Sequence, residues 1–407
     1  MKLSQRLIAH LDAYENQMIS IRRELHRYPE SMFDVERTAT VVAQQLEAWG
    51  LEVKRGVGKR FKAGVVGILR GGQDGRTIML RADMDALHIQ ELSDSTYRSL
   101  RDGFMHACGH DAHTAMLLGA AYALSKERAS LSGTVRFVFQ PAEEGARPCP
   151  EDGSLVSGSR DLIDDGVLGD AELGFGLHVW PDLPTGKIGL REGYMMAASS
   201  HFTYEFQGLA GHHAAPHLAA DALMMTAQFV IEAKTALAAQ WNPLVPAVLS
   251  FGTMHAGTVL NAIAEKGTVT GSYRTFGTDA VQRIKHLLEQ RAQSVASSFG
   301  GTYTSRFRLG TALLNDADTV GIAARAAAHI GAAVQWLETP SLAGEDFSLY
   351  AEQIPCAFAF LGIGNESLGI VHPLHHPRFD VDERALKIGA KLHMLFVLEA
   401  FNHASEG

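Results

Sequence analysis

The sequence is short of cysteine, of long apolar runs and of positive charge, and each shortage excludes a class of protein. Its three cysteines are odd in number and far apart, at positions 108, 149 and 356, so we expect no disulfide framework and a reducing compartment, the cytoplasm. No apolar run reaches the roughly 18 residues of a membrane span, and the charged start (MKLSQRLIAHLDAYENQ) is unlike a signal peptide. With 36 Lys and Arg against 45 Asp and Glu, we expect neither a nucleic-acid nor a membrane partner.

What the sequence does contain is an alternation of strand and helix signals. Its 407 residues exceed the roughly 100–200 of a single domain, so two domains are expected. Runs of apolar and β-branched residues predict strands, and apolar residues three and four positions apart predict helices. The predicted helices are the first segment up to Pro29 and residues 35–49, 108–125, 316–330 and 383–402, and the predicted strands are 77–83, 134–140 and 172–180. This order predicts an α/β fold whose sheet has a substantial parallel part.

A different order of elements begins near residue 194. The pattern predicts a strand at 201–207, a helix at 218–238, two strands in AVLSFGTMHAG and KGTVTGSYRTF, a helix starting at TDAV and a strand in TYTSRFRL. The order β-α-β-β-α-β is that of a ferredoxin-like α+β unit. We therefore predict an inserted domain at 194–311, within a first domain formed by residues 1–193 and 312–407.

The stretch MHACGHDAH (105–113) places a cysteine two residues before a histidine, a spacing that cannot share one face of a regular helix. Cys108 and His110 are therefore expected in the turn that leads into the following helix. Three further segments carry metal-type side chains where a predicted strand ends: Asp83 and Asp85, Glu143 and Glu144, and His178. Such strand ends meet at one edge of an open α/β sheet, and thiolate, imidazole and carboxylate together suit Zn²⁺ or a similar divalent ion.

These residues and their motifs resemble the M20 family of metallohydrolases, specifically its amidohydrolase branch, which includes hippurate hydrolases, N-acyl-amino acid amidohydrolases and auxin-conjugate hydrolases. The resemblance covers nearly the whole chain, and HACGHD followed by PAEEG is highly specific to this branch. The motifs that carry it are IRRELHRYPE, RADMDAL, MHACGHDAHTA, FQPAEEG, LHVWP, GHHAAPH, AGEDFS and LHHPRFDVDE. The resemblance implies a zinc-peptidase-like α/β catalytic domain with a mixed sheet, and an inserted ferredoxin-like domain that serves as lid and for dimerisation.

The resemblance also implies two divalent metal ions per subunit, Zn²⁺ or Mn²⁺, with Ni²⁺ or Co²⁺ as alternatives. By position, the implied metal ligands are Cys108, His110, Glu144, His178 and His375. Glu143 is the implied general base, which takes a proton from water and returns it to the leaving amine. Asp85 is implied to orient a ligand, and His106 and His113 flank the site and are expected to support it.

The inserted domain carries three further residues to which the resemblance gives a role, and the first domain carries a fourth. The motif GLAGHH places His212 where the family has a histidine that stabilises the developing oxyanion, in many members from a partner subunit. Asn261 in NAIAE and Arg274 in GSYR match substrate-binding positions, and a guanidinium at 274 would bind the substrate's carboxylate bidentately. Gly344 in AGEDFS, within the second part of the first domain, is the fourth and is a further implied substrate-binding position. The family's Lys and Pro are absent from the first two motifs, so local contacts of the inserted domain are expected to differ.

We therefore expect a metal-dependent amidohydrolase. Its substrate would be a small-molecule N-acyl amino acid with an acetyl, benzoyl or other aryl or alkyl acyl group. Cleavage of the amide bond would release a carboxylic acid and an amino acid. The protein would form a homodimer or higher homo-oligomer. Two alternatives stay open: a dipeptidase or aminoacyl peptidase of the same fold, favoured by a carboxylate placed to bind a free α-amine, and a catalytically silent metal-binding protein. Glu143 argues against the silent protein, because a structural site needs no base beside its ligands. Residues 146–159 are expected to form a loop that either shapes the acyl pocket or is a surface insertion.

Overall fold

The computed structural model of this chain describes residues 2–403. Its helices are α1 (Leu3–Arg27), α2 (Glu36–Ala48), α3 (His110–Lys126), α4 (Gly158–Asp164), α5 (Ala222–Gln240), α6 (Thr278–Ser298), α7 (Ala317–Ile330), α8 (Ser348–Ala351) and α9 (Arg384–His403). Its strands are β1 (Glu52–Val57), β2 (Gly64–Arg70), β3 (Gln73–Asp83), β4 (Ser132–Gln140), β5 (Arg147–Pro148), β6 (Leu155–Val156), β7 (Leu173–Pro184), β8 (Ile188–Leu190), β9 (Gly193–Met196), β10 (Ala198–Gln207), β11 (Gly211–His212), β12 (Ala247–Ala256), β13 (Ala262–Ile263), β14 (Lys266–Thr275), β15 (Thr302–Arg308), β16 (Leu313–Asn315), β17 (Val334–Trp336) and β18 (Cys356–Gly364). Within this described part, no helix is both long and apolar enough to cross a membrane.

These elements form two compact units. The large unit comprises Met1–Met195, Leu314–Thr339 and Asp346–Gly407, and the small unit comprises Met196–Leu313 and Pro340–Glu345. The short segment from Pro340 belongs with the small unit because the N–H of Ala197 donates to the carbonyl oxygens of Ser341 and Ala343, each at 3.0 Å.

The large unit is built on an eight-stranded sheet in the order β1-β2-β4-β3-β7-β18-β8-β17. The four strands β4, β3, β7 and β18 run parallel, whereas the pairs β1–β2, β2–β4 and β18–β8 are antiparallel, which confirms the predicted α/β class with a mixed sheet. Helices α1, α3 and α9 pack on one another, and α1 buries Leu7, Leu11 and Met18 at helical spacing. Because Asp83 pairs with Gln140, the carboxyl ends of β3 and β4 lie side by side.

The sequence pattern predicts only β3, β4 and β7 of this sheet, and the most central strand that it leaves unpredicted is β18. The strand β18, CAFAFLGIG, lies next to β7 and is buried along nearly its whole length. A strand covered on both faces has no alternation of apolar and polar residues, so its run of Ala, Phe and Gly carries no period of two. The prediction for β7 also needs correction, because the strand continues to Pro184 and His178 lies in its middle, not near its end.

The small unit contains a four-stranded antiparallel sheet in the order β12-β14-β10-β15, together with α5 and α6. Apart from the short ribbon β11–β13, the chain order is β10-α5-β12-β14-α6-β15, the expected ferredoxin-like order. Along β10, Phe202, Tyr204 and Phe206 are buried, and the last two contact Phe229 of α5. The residues between them are less buried, so the other face of the sheet carries the polar side chains. A lid and dimerisation role for this unit stays a prediction.

The predicted loop at 146–159 contains a short antiparallel pair. Its two-residue strands β5 and β6 form a ribbon, and α4 already begins at Gly158, one residue before the predicted end of the loop. The N–H of Gly158 donates to the carbonyl oxygen of Ala142 at 2.9 Å, and a Cβ at Gly158 would lie 1.6 Å from the carbonyl oxygen of Pro141. The absence of a side chain therefore allows the ribbon to return to the chain just before Glu143.

A buried histidine makes the stability of the large unit sensitive to acid. His393 of α9 is 1% exposed, and its ring centroid lies 5.2 Å from that of Phe175. Burial, with a contribution from His113, lowers the pKa of His393 to about 3. An unfolded histidine takes up a proton below about pH 6.5, whereas this one stays neutral until far lower pH. The contribution of the neutral His393 to the free energy of unfolding is thus fully present above pH ~6.5, and it is lost as the pH falls towards the pKa of the folded state.

We expect His393→Leu to lose less stability than the wild-type protein when the pH is lowered from about 7 to about 4.5. Over this range, proton uptake by His393 in the unfolded chain lowers the free energy of unfolding of the wild type by about 2–3 kcal/mol, whereas a leucine takes up no proton. The free energy of urea unfolding, measured in the presence of a chelator so that metal loss does not contribute, checks this. An equal loss in both proteins would contradict it.

Candidate metal centre

Gly109 builds the turn between Cys108 and His110. It caps the N-terminus of α3 in the left-handed region, with φ of 86°, which glycine adopts without strain. A Cβ at this position would lie 2.4 Å from Cγ2 of Val179 on β7, so a side chain does not fit. His110 is then the first residue of α3 and is fully buried.

Five predicted side chains come together in the large unit as two overlapping groups of donor atoms. Sγ of Cys108 and ring nitrogens of His110 and His178 lie within 4.8 Å of one another. The same sulfur forms a second such group with Glu144 and His375. The distance from Sγ to Nε2 is 3.3 Å for His178 and also 3.3 Å for His375. The two groups therefore share Cys108.

The backbone fixes the orientation of both histidines that face the sulfur. Nδ1 of His178 lies 2.7 Å from the carbonyl oxygen of Val179, which can only accept, so Nδ1 carries the proton and Nε2 presents its lone pair towards Cys108. His375 has φ of 64°, a conformation that costs a non-glycine residue about 1–2 kcal/mol. Its N–H donates to the carbonyl oxygen of Ala107 at 2.8 Å, which holds it there.

Several buried atoms of these groups have no hydrogen-bond partner within the described residues. They are both ring nitrogens of His110 and Oε1 of Glu144. Nε2 of His110 lies 3.7 Å from Oδ2 of Asp83 and 3.9 Å from Oε1 of Glu144. Unsatisfied buried polar atoms are costly, and coordination of a divalent ion by imidazole, thiolate and carboxylate would satisfy them. These residues are therefore suited to bind divalent metal ions.

Asp85 fixes the backbone of the Glu143–Glu144 pair. Its carboxylate accepts the N–H of Glu143 at 3.0 Å and that of Glu144 at 3.2 Å. Oδ1 of Asp85 is also 3.5 Å from Nδ1 of His110. Ala142, just before the pair, has φ of 51°, so the chain enters the site in a strained conformation that these contacts maintain.

Burial of Cys108 and the acidic neighbours of His110 keep protons on these two donor side chains. Burial raises the pKa of the Cys108 thiol well above its usual range, and the charge of Glu144 raises it further. For His110, burial favours the neutral ring, but Asp83, Asp85 and Glu144 together outweigh burial and raise its pKa to about 10. A cation at this point would reverse both effects.

Two other donors are in the state that metal binding requires. Burial opposes ionisation of Glu144, but His375 and His110 outweigh it and lower the pKa of this carboxyl. Burial and then His113 lower the pKa of His178 well below its usual range, so the ring is neutral.

Asp83 and His113 form a hydrogen-bonded pair beside the donor atoms. Nδ1 of His113 lies 2.6 Å from Oδ1 of Asp83, and Nε2 of His113 accepts the N–H of Val179 at 2.9 Å. Arg81 donates to the other oxygen of Asp83 at 2.7 Å. The pair therefore connects the end of β3 to β7 next to His178.

Asp346 is a supporting residue that sequence reasoning missed. Its carboxylate accepts hydrogen bonds from Gln140 at 2.7 Å, Ser159 at 2.8 Å and Arg81 at 3.1 Å. Its N–H donates to Oε1 of Glu143 at 3.4 Å. The only sequence signal was its place in AGEDFS, a motif 203 positions from Glu143.

Arg22 of α1 is a second such residue. Its fully buried guanidinium lies 2.8 Å from Asp111 and 2.9 Å from Asp380. Asp111 directly follows His110, and Asp380 follows His375 in the same C-terminal motif. One arginine thus ties both donor-bearing segments to the first helix, and no local pattern in the sequence indicates this.

The four predicted oxyanion and substrate residues all lie in the small unit, including Gly344, whose segment the sequence pattern assigned to the first domain. His212 lies on β11, which pairs with β13, and the carbonyl oxygen of Asn261 accepts the N–H of the residue after His212 at 3.4 Å. Arg274 donates to the carbonyl oxygen of Leu342 at 3.1 Å, and a Cβ at Gly344 would lie 3.5 Å from a terminal nitrogen of Arg274.

Comparison with known proteins matches residues 79–399 to the family model for peptidase family M20/M25/M40. The thermostable carboxypeptidase 1 of Saccharolobus solfataricus is 34% identical over 404 residues, which cover 99% of this chain and all of the relative. The N-acetylcysteine deacetylase of Bacillus subtilis is 35% identical over 380 residues, 93% of this chain and 95% of the relative. Among solved structures, a dinuclear metal-binding peptidase of the M20 family from Bacillus subtilis is similar with a TM-score of 0.80 and 33% identity, covering 96% of this chain and 99% of that one.

Proposed function

The chain belongs to peptidase family M20/M25/M40 and is a hydrolase of amide bonds, and we propose that it cleaves N-acyl amino acids into a carboxylic acid and a free amino acid. The observation that carries this proposal is the pair of donor groups that share Cys108, with Glu143 and Glu144 held beside them by Asp85. A relative at 35% identity is named for the removal of an acetyl group from an amino acid, which supports the same substrate class here.

We further propose that Cys108, His110, Glu144, His178 and His375 hold two divalent metal ions. The similar solved structure is described as dinuclear, and the two overlapping donor groups of this chain support the same number. When bound, two such ions, Zn²⁺ or Mn²⁺ with Ni²⁺ or Co²⁺ as alternatives, would polarise the scissile carbonyl and make water a stronger acid.

Glu143 is the proposed general base and acid. Its Oε1 accepts the N–H of Asp346, and its Oε2 lies 4.0 Å from Nε2 of His110, on the side of the donor atoms. From there Oε2 would take the proton of the attacking water and return it to the leaving amine. Asp85 holds the backbone of this residue and of Glu144, so the base and its neighbour keep their relative positions.

The small unit would supply the substrate contacts. Arg274 is proposed to bind the α-carboxylate of the amino acid, with Asn261 and Gly344 as further substrate-binding positions. His212 is proposed to stabilise the oxyanion from the partner subunit of a homodimer. These assignments rest on the family motifs and on two contacts within the small unit: the N–H of His213 donates to the carbonyl oxygen of Asn261, and Gly344 lies next to the guanidinium of Arg274.

A second candidate function is hydrolysis of peptides, because a relative at 34% identity is named a carboxypeptidase. Both reactions cleave the amide bond of an amino acid whose carboxylate is free, so a carboxylate-binding arginine serves either. They differ in the acyl side, which carries an amine in a peptide and none in an acetyl or benzoyl group.

Release of amino acids by the metal-reconstituted protein separates the two functions. N-acetyl and N-benzoyl amino acids would be compared with dipeptides that end in the same amino acid, after addition of Mn²⁺ or Zn²⁺. We expect the N-acyl compounds to be cleaved with the higher kcat/KM. A preference for the dipeptides would establish the peptidase, and no release from any substrate would favour the silent metal-binding protein.

We expect His212→Ala to lower kcat by about 10²–10³-fold with little change in KM, because an oxyanion donor acts only in the transition state. If the histidine acts across a dimer, mixing this variant with inactive Glu143→Gln subunits should restore part of the activity, because one hybrid site then holds both groups. Activity would be measured after the mixed subunits exchange. A mixture that stays inactive would contradict the cross-subunit role.

A further inference from the structure

The polar face of the small unit's sheet carries two arginines on either side of β10. Arg274 on β14 is paired with Ser199, and Arg308 on β15 is paired with His201. Residues directly opposite each other in antiparallel strands share a face, so all four side chains lie on the face away from the buried aromatic residues of β10. Oγ of Ser199 and Nε2 of His201 are 3.2 Å apart in the strand between the arginines.

Neither arginine is neutralised by a carboxylate within residues 2–403. Arg274 donates to the carbonyl oxygen of Leu342, and the guanidinium of Arg308 has no hydrogen bond or ion pair in this part of the chain. Arg306, on the same strand and the same face as Arg308, instead pairs with Glu205 at 2.5 Å. One strand thus presents one compensated and one uncompensated positive charge.

The two uncompensated charges are close enough to repel each other. Two strand spacings of about 4.8 Å, with an offset of two residues along the strand, place their Cα atoms roughly 12 Å apart, within the combined reach of two arginine side chains. Burial lowers the pKa of Arg274, and the positive charge of Arg308 lowers it further. An anion bound between them would remove this repulsion.

The position of Arg308 indicates which anion that is. If Arg274 binds the α-carboxylate of the substrate, the carbon next to that carboxylate carries the scissile amide and the side chain of the amino acid, and under the proposed function the amide goes to the metal ions. The neighbouring guanidinium would therefore meet this side chain, and a guanidinium binds a carboxylate with two parallel hydrogen bonds. Burial and then the charges of Arg308 and Arg274 lower the pKa of His201, so it adds a neutral donor and not a third positive charge.

We propose that Arg308 binds a second carboxylate beside the one bound by Arg274, so that the preferred substrates are N-acyl derivatives of dicarboxylic amino acids. This inference rests on the proposed function and names the substrate class of the same site. It identifies Arg308 and His201 as specificity-determining residues, which none of the family motifs in this chain includes.

The test compares two substrates that differ in charge and hardly in shape. For the metal-loaded wild type, we expect kcat/KM for N-acetyl-L-glutamate to exceed that for N-acetyl-L-glutamine by about tenfold or more, as a charge-assisted hydrogen bond allows. Arg308→Gln should bring this ratio close to one, and Arg308→Lys should keep part of it. Both substrates are measured on the same preparation, so the ratio does not depend on the fraction of protein that is folded.

Arg306→Gln is the matched control. It removes a charge from the same strand and face, but a charge that Glu205 already compensates, so the ratio should stay at the wild-type value. An equal ratio in Arg308→Gln and the wild type, or a wild type that does not prefer the acidic substrate, would overturn this inference while cleavage of N-acetyl-L-glutamine keeps the proposed function. No cleavage of any N-acyl amino acid would overturn the proposed function and this inference with it.

Discussion

Replacing Glu143 by Gln is expected to lower kcat by about 10²–10⁴-fold, the range in which general acid–base catalysis contributes. Glutamine keeps the shape of the side chain and its oxygen can still accept the N–H of Asp346, but it cannot take a proton at Oε2. The backbone contact to Asp85 does not depend on the side chain. The fold and the metal content should therefore be unchanged, and the loss should appear in turnover.

Glu127→Gln provides the control for this substitution. Glu127 lies in the same unit and pairs with Arg6, so its replacement tests a loss of carboxylate charge away from the reaction. Its kcat should stay near the wild-type value, and both variants should bind the same amount of metal by elemental analysis. A Glu143→Gln protein with full metal content and near wild-type kcat would contradict the assignment of the base.

The donor set was predictable because each part of it is encoded over a few residues. A cysteine, a glycine and a histidine in a row can only bring the thiol and the imidazole together through a turn, and Gly109 forms that turn in the left-handed region. The Glu143–Glu144 pair and the acid at 85 follow neighbouring strands, and register brings those strand ends together. Short motifs therefore predicted the donor side chains, and the order of the strands explains why these side chains lie close together.

The supporting residues were not predictable, because their partners are remote in the sequence. Asp346 contacts Glu143 across 203 positions, and Arg22 joins Asp111 to Asp380 through a helix that carries no metal-type pattern of its own. An arginine in a helix is normally exposed, so nothing local indicates that this one is buried. The sequence also does not indicate that the guanidinium of Arg308 lacks a carboxylate partner among the described residues, because this is known only when its neighbours in space are known.

The affinity for metal is expected to rise by about a hundredfold per pH unit across the neutral range. In the metal-free protein, burial and then Glu144 raise the pKa of Cys108 well above its usual range. The pKa of His110 is raised to about 10, since Asp83 and its acidic neighbours outweigh burial. Below both pKa values each group holds a proton, and coordination needs a thiolate and a neutral imidazole, so about two protons leave on binding. Each released proton contributes about a tenfold rise in affinity per pH unit.

Competition with a chelator of known affinity, at several pH values between about 6 and 8, would measure this slope, and calorimetry in buffers of different ionisation enthalpy would count the protons. His178 contributes no proton, because its pKa lies well below the usual range and the ring is already neutral. Cys108→Ser is the discriminating variant. A serine hydroxyl at this position has no proton to lose in the neutral range, so the slope should fall to about tenfold per pH unit. A wild-type affinity independent of pH, or the same slope in the serine variant, would show that Cys108 does not give up a proton to the metal and would remove it from the ligand set.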